Sequence, residues 1–164
     1  MPTSDIREQV LNALSQTGRH EWLSETHDLN ELQFVPFKGT SMLPSLKDGD
    51  ILIVLPLGGH FPEKGDIILA QKGEKAFLAH RVLRFDRITA LVRTRGDSRL
   101  LRDGLWNLMY SRGRVVGIWR DNKILDVAPP PPWKRRYRTI ALLVFSAALR
   151  RLRGHLQISQ MLQK

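Results

Sequence analysis

The most informative absence in this chain of 164 residues is that of cysteine, because it excludes a disulfide framework, a thiolate metal site and a cysteine nucleophile. Long apolar runs are also missing: the longest, residues 140–149, is about half of the roughly 20 residues that a membrane-spanning helix needs. Residues 1–22 are polar and mixed in charge, without the apolar centre of a secretory signal. We therefore expect one cytoplasmic domain with a short appendage.

Acidic side chains are scarce relative to basic ones, with 16 Asp and Glu against 26 Lys and Arg and a formal net charge of +10. Such an excess favours an anionic partner, either a nucleic acid or an acidic membrane surface. Much of it is concentrated between residues 133 and 155, where no acid occurs. The basic residues of this segment are Lys134, Arg135, Arg136, Arg138, Arg150, Arg151 and Arg153.

The four prolines of residues 129–132 predict a stiff, extended linker, which we place at 128–132. Beyond it, residues 133–164 combine an apolar centre with basic flanks, and Trp133 and Tyr137 stand at the first border. This composition favours an amphipathic helix on an anionic membrane surface, with the protein peripheral to the membrane. Two alternatives stay open: a helix packed on the main domain, and a basic tail that binds RNA. Because the apolar run suits nucleic acid poorly, we expect no specific nucleic-acid partner.

Residues 1–33 predict a helical appendage before the main domain. Ser4 or Asp5 can cap an amphipathic helix that Gly18 ends. The apolar face of this helix consists of Ile6, Val10, Leu11 and Leu14. We expect this face to pack on the main domain, and docking of a partner protein is the alternative. The segment is too short for a helix-turn-helix DNA-binding domain, which needs more amphipathic helices.

Helical periodicity is absent from residues 34–127, which instead contain short apolar runs separated by tight turns. The predicted strands are residues 50–55, 66–71, 76–85, 87–94, 114–120 and 123–127. Two of the turns, at Asp86 and at Asp121-Asn122, are typical of hairpins. The predicted fold class is therefore mainly β: one coiled, antiparallel β domain with short N- and C-terminal helices.

Ser41 is a candidate nucleophile in the stretch "FKGTSMLPSLKDGD". A serine hydroxyl needs a neighbouring base and donors for the oxyanion. Gly39 and Thr40 let the backbone turn closely before the serine, so that main-chain N–H groups of Gly39, Thr40 and Ser41 are candidate oxyanion donors. Pro44 excludes a long helix and favours a turn. The alternative is that Ser41 is only a turn residue, because many β-turns share this pattern.

The candidate base is His80, one of five histidines. It lies in the middle of a predicted strand, on which Leu78, His80 and Val82 share one face. An imidazole in such surroundings is partly desolvated, which favours the neutral form that accepts a proton. The alternatives are a core histidine bonded to the backbone, and a lysine base such as Lys75. Asp97, in "TRGDSR", is the candidate carboxylate to orient the imidazole, or else a plain turn residue.

Four blocks in order, "GTSMLPSLKDGDILIV", "KGDIILAQ", "AHRVLRF" and "RGDS", resemble the superfamily of serine peptidases that contains type I signal peptidases and LexA/UmuD-like self-cleaving repressors. The resemblance covers roughly residues 34–127 and implies that Ser41 is the nucleophile. Bacterial signal peptidases and LexA-like proteins carry a "KR" pair where this chain has His80-Arg81. The "HRV" is similar to the Ser/His pattern of archaeal and endoplasmic-reticulum signal peptidases, in which a downstream carboxylate assists, here Asp97.

The resemblance further implies a coiled antiparallel β domain with a shallow substrate groove and cleavage through an acyl-enzyme on Ser41. It implies no metal and no cofactor. The "KGT" before the serine is closer to the LexA-like branch, whereas we see neither the N-terminal membrane anchor of signal peptidases nor the DNA-binding domain and cleavage dipeptide of LexA-like repressors.

Three hypotheses follow for the function. The first is a Ser41–His80 endopeptidase, assisted by Asp97, that processes signal or leader-like peptides near a membrane and binds them extended along a sheet edge. The second is a LexA-like regulatory peptidase that cleaves a cytoplasmic protein or its own chain. The third is a non-enzymatic β scaffold with a membrane- or RNA-binding tail, which would need neither Ser41 nor His80.

Overall fold

The computed structural model describes residues 4–16, 29–72 and 76–129. The predicted basic tail at 133–164, with its seven candidate membrane-surface residues, and most of the linker lie outside this part of the chain. The same holds for Lys75, the alternative base.

Within the described residues, the chain forms one α-helix and one curled antiparallel sheet of eight strands. The elements are α1 Ser4–Gln16, β1 Gln33–Pro36, β2 Ile51–Leu55, β3 Ile67–Lys72, β4 Ala76–Asp86, β5 Leu91–Arg95, β6 Leu105–Asn107, β7 Ser111–Arg120 and β8 Lys123–Leu125. The strand order is β1-β2-β7-β3-β4-β5-β6, and β8 pairs with β7. The predicted mainly β, coiled antiparallel fold is confirmed.

The hairpin between β7 and β8 forms as its sequence predicts. Arg120 pairs with Lys123, so Asp121 and Asn122 alone make the turn. Both have positive φ, 50° and 56°, which Asp and Asn tolerate better than other side chains and which a two-residue turn between twisted strands requires.

The turn between β4 and β5 is longer than predicted, because residues 87–90 do not belong to a strand. The carboxylate of Asp86 accepts the N–H of Ile88 at 3.0 Å, and Ala90 has a φ of 53°. An aspartate that bonds to the backbone two residues on favours a turn over a continued strand. Strand β5 therefore starts only at Leu91.

Helix α1 packs on the sheet, as expected for its apolar face. Val10 and Leu14 are buried. They belong to a cluster that also contains Leu32, Phe34, Ile53, Leu55 and Trp119. This cluster buries the apolar face of α1 against the sheet, so no partner protein is required to cover that face. No helix among the described residues is long and apolar enough to cross a membrane.

A second cluster lies beneath the loop that carries Ser41. Phe37, Met42 and Leu46 are the buried residues of this loop. They pack with Leu52, Val54, Ile67, Leu69, Ala79, Val115 and Ile118 of the sheet. Burial of such a side chain stabilises the fold by about 1.5–3 kcal/mol. The loop is therefore held to the core on both sides of the serine.

Candidate active site

The Ser41 loop, residues 37–50, is closed at its base by main-chain hydrogen bonds. The N–H of Phe37 donates to the carbonyl of Asp50 at 2.7 Å, and the N–H of Gly49 donates to the carbonyl of Phe37 at 3.1 Å. Arg120 of β7 donates two hydrogen bonds, from Nε and Nη2, to the buried carboxylate of Asp50, both at 2.6 Å. These hydrogen bonds raise the pKa of Arg120. The backbone around the serine is thus fixed before any substrate binds.

Ser41 and His80 come together although they are far apart in the chain. The Nε2 atom of His80 lies 3.1 Å from the Oγ atom of Ser41. His80 lies on β4 and is only 5% exposed, while Ser41 is partly buried. The distance allows the hydroxyl to donate to a neutral imidazole, which is the starting arrangement for general-base catalysis.

The carboxylate on the other side of the imidazole belongs to Asp103. Its Oδ2 atom lies 2.6 Å from Nδ1 of His80 and accepts the hydroxyl of Thr94 at 2.6 Å. Trp106 in turn donates its indole N–H to the oxygen of Thr94 at 3.1 Å. With Nδ1–H donating to Asp103, Nε2 is left as an acceptor toward Ser41.

Asp97 does not lie beside His80, which corrects the predicted orienting role. The carboxylate of Asp97 is 4% exposed and accepts two bonds from the guanidinium of Arg81, at 2.9 and 2.8 Å. It also accepts the hydroxyl of Ser45 at 2.6 Å. Because Arg81 is 3% exposed, its charge needs a buried counter-charge, and Asp97 supplies it.

The predicted oxyanion donors are not equivalent. The N–H of Gly39 donates to the carboxylate of Asp48 at 2.7 Å, so it serves to shape the loop. The φ of Gly39 is 126°, a conformation that favours glycine. Thr40 is exposed, and its carbonyl accepts the hydroxyl of Ser98 at 2.7 Å. Within the described residues, the N–H groups of Thr40 and Ser41 have no acceptor, so both remain candidate donors to a substrate oxyanion.

The loop between β5 and β6 packs directly against the nucleophile. The N–H of Ser98 donates to the carbonyl of Ser41 at 3.0 Å. A Cβ atom on Gly96 would lie 2.5 Å from that same carbonyl oxygen and 3.1 Å from Nε2 of His80. The sequence analysis missed Gly96, Ser98, Thr94 and Asp103. The glycine in "TRGDS" was a visible signal for close backbone approach, whereas nothing distinguished the carboxylate of Asp103 from other turn carboxylates.

Two of the described strands have stretches without a partner on one side. Among the described strands, β1 pairs only with β2, and β4 pairs with β5 only from Arg81 onward. A cavity of about 920 Å³ is lined both by β1 and by Phe77 of β4. The chain runs from β1 into the Ser41 loop and along β4 from Phe77 to His80. Ser41 and His80 are not among the residues that line this cavity, so it lies beside strands that continue toward the site. An extended peptide could pair there with an unpaired strand edge.

The remaining described histidine, His60, is exposed in the loop between β2 and β3 and lies outside this cluster. Within the same part of the chain, no group of three His, Asp or Glu side chains is placed to hold a metal ion. Ser41, His80 and Asp103 thus form the candidate site. Comparisons of the chain with protein-family models, with curated proteins and with solved structures found no match.

Proposed function

We propose that this chain is a serine endopeptidase in which Ser41 is the nucleophile, His80 the general base and Asp103 the residue that orients the base. The observation that carries the proposal is the pair of contacts on one imidazole, 3.1 Å to Ser41 and 2.6 Å to Asp103. A buried histidine that only stabilises the core needs neither a nucleophile on one nitrogen nor a carboxylate on the other.

The proposed reaction begins when the Oγ atom of Ser41 attacks the carbonyl carbon of the scissile bond and Nε2 of His80 takes its proton. The N–H of Ser41 stabilises the oxyanion that forms. His80 then gives the proton to the leaving amine, and an acyl-enzyme on Ser41 remains. His80 next activates a water molecule that hydrolyses this ester. Throughout, Asp103 holds the imidazole through its Nδ1–H and stabilises the imidazolium.

The substrate that we propose is a signal or leader-like peptide bound in extended form. Support comes from the sequence blocks that resemble those of signal peptidases and from the stretches of β1 and β4 that lack a partner among the described strands. Strand β1 and Phe77 of β4 line one cavity. Main-chain pairing to these edges gives affinity, while pockets for alternate side chains give specificity.

The test is covalent labelling with a fluorophosphonate, which esterifies an activated serine. We expect the purified chain to be labelled at Ser41, as located by mass spectrometry, and Ser41→Ala and His80→Ala to remain folded and unlabelled. Ser15→Ala, which changes an exposed serine of α1, is the matched control and keeps full labelling. An unlabelled wild-type chain, or labelling that survives in His80→Ala, would refute the proposal.

The regulatory alternative, cleavage of the protein's own chain, is separated by the intact mass. Under the proposed function the mass of the purified chain stays constant on prolonged incubation, while an added leader-like peptide is cut. Two fragments that appear in the wild type and not in Ser41→Ala would instead assign the dyad to self-cleavage.

We also propose that the basic segment 133–155 holds the enzyme on an anionic membrane surface, which its composition supports. Replacing Arg150, Arg151 and Arg153 with Gln should reduce co-sedimentation with phosphatidylglycerol vesicles and leave fluorophosphonate labelling unchanged. Vesicle binding that survives this triple change would contradict the proposal.

A further inference from the structure

A basic cleft lies on β4, β5 and β6, apart from the cavity that β1 and Phe77 line. Its volume is about 580 Å³. Five cationic side chains line it: Lys64, Arg84, Arg93, Arg95 and Arg102. The only carboxylate among the lining residues is that of Asp86. Five positive charges against one negative charge make the cleft strongly attractive to anions.

The cleft brings like charges together on neighbouring strands. Arg84 of β4 and Arg93 of β5 are directly opposite in the antiparallel register. Like charges in this position are destabilising, whereas opposite charges stabilise. In the part of the chain that the structure describes, the ion pairs join His80–Asp103, Arg81–Asp97, Arg114–Asp66 and Arg120–Asp50, and none of them involves a cation of the cleft.

Arg93 carries the clearest sign of an incomplete site. Its Nε–H is buried, and no acceptor for it exists among the described residues. A buried donor without an acceptor is costly, and such groups are rare in folded proteins. The carboxylate of Asp86 is already engaged, because the N–H of Ile88, the side chain of Thr89 and the charge of Arg84 hold its pKa below the usual value. The described carboxylate of the cleft therefore leaves Arg93 without an acceptor.

The position and lining of the cleft indicate which anion fits. Arg95 immediately precedes Gly96, and Arg102 immediately precedes Asp103, so the cleft and the dyad share the loop between β5 and β6. Part of the cleft is lined by the apolar side chains of Leu83, Leu91 and Leu105, which can contact apolar side chains of a bound peptide. None of the described residues that line the cleft is aromatic, whereas binding of single-stranded nucleic acid uses aromatic stacking.

We propose that this cleft binds an acidic segment of the polypeptide substrate, with carboxylate side chains on Arg84 and Arg93. The inference rests on the proposed peptidase function and names a feature of its substrate. The guanidinium group matches a carboxylate with two parallel hydrogen bonds, and a bound carboxylate removes the repulsion between the two strands. A substrate with Asp or Glu outside the scissile bond is thereby preferred over one without them.

The experiment measures binding without catalysis, on the full chain carrying Ser41→Ala. The probe is a fluorescein-labelled peptide of alternating leucine and glutamate, and the readout is fluorescence anisotropy. We expect Arg93→Gln to weaken binding roughly tenfold, as for the loss of one charge-assisted pair, and Arg84→Gln/Arg93→Gln to weaken it further. The matched control is Arg112→Gln/Lys123→Gln, which removes the same charge from exposed positions on β7 and β8.

Two further probes, labelled oligouridylate and phosphatidylglycerol vesicles, separate the acidic peptide from other anions. The proposal requires that the cleft variants lower affinity for the acidic peptide more than for either of these. Equal losses in the control pair, or a loss confined to oligouridylate or vesicles, would overturn it. Because Ser41 is absent, a failure here leaves fluorophosphonate labelling of the wild type untouched, and a failure of labelling leaves this binding result standing.

Discussion

His80 and Arg81 are neighbours on β4, so their side chains leave opposite faces of the strand. Each of them contacts a carboxylate, and both carboxylates come from the segment that follows β5. Asp103 contacts the imidazole, whereas Asp97 neutralises the buried guanidinium. The two carboxylates therefore have different consequences when they are replaced.

Replacing Asp103 with Asn should abolish most of the activity without unfolding the protein. The amide would donate to Nδ1 of His80, so that Nε2 carries the proton and can no longer accept from Ser41. We expect the rate of labelling or peptide cleavage to fall on the order of 10⁴-fold. The melting temperature serves as the control for folding. An active Asp103→Asn variant would show that the carboxylate does not orient the base.

Replacing Asp97 with Asn should instead act on stability. The change leaves Arg81 as an unpaired buried charge and disturbs its contacts with Gly65 and Ala128, whose carbonyls it meets at 2.7 and 3.0 Å. Loss of one partner of a buried pair costs about 3–5 kcal/mol. Urea unfolding measures this loss, and the labelling rate per folded molecule should stay near that of the wild type. A stable but inactive variant would return the orienting role to Asp97.

The absence of a side chain at Gly96 allows its backbone to lie close to Ser41. The Cβ atom of an alanine there would lie 2.5 Å from the carbonyl oxygen of Ser41. We expect Gly96→Ala to destabilise the fold by about 1–3 kcal/mol and to slow labelling, because the loop must move away from the dyad. Gly104→Ala is the matched control, since no atom lies within 4 Å of its added Cβ. Equal behaviour of the two variants would contradict the close approach.

At the scale of elements, charge reversal can test whether the repulsion between Arg84 of β4 and Arg93 of β5 destabilises the sheet. Arg84→Glu places opposite charges face to face but removes the attraction between Arg84 and Asp86, so we expect a gain at the low end of about 0.2–1 kcal/mol. The same reversal at Arg112, away from the cleft, is the control. Thermal unfolding at low and high salt measures both, and the gain at Arg84 should shrink as salt screens the charges. A destabilised Arg84→Glu variant would mean that the attraction between Arg84 and Asp86 outweighs the repulsion between Arg84 and Arg93.

The strands that the sequence predicts well are those with apolar runs bounded by glycine, aspartate or asparagine turns. Strands β2, β3, β4 and β8 lie where their patterns place them, and β7 extends three residues further toward the N-terminus than its apolar run. Strands β1 and β6 were not predicted, because three or four residues are too few to show alternation. The sequence therefore predicts the longer strands, whereas the short edge strands β1 and β6 become evident only from the strand pairing in the structure.

The residues of the candidate site were likewise predictable from the sequence only in part. Ser41 and His80 were predicted together because the blocks around them resemble a Ser/His peptidase pattern, whereas a turn serine or a mid-strand histidine alone is common. The choice between Asp97 and Asp103 depends on how the loop after β5 folds over the two faces of β4. Both carboxylates neighbour a glycine, and nothing local distinguishes the one that meets an imidazole from the one that meets a guanidinium.

For the whole molecule, the unpaired edges of β1 and β4 have a consequence for behaviour in concentrated solution. Free edge groups that accept a substrate strand also accept a strand of another copy, and Phe77 beside them is 51% exposed. The net charge of +10 opposes such contacts at low ionic strength, whereas salt screens it. We expect reversible self-association that grows with salt and is suppressed by a bound peptide, as measured by sedimentation velocity. Association that a bound peptide does not change would place the contact elsewhere. If the peptide does suppress it, a bound ligand keeps the protein monodisperse.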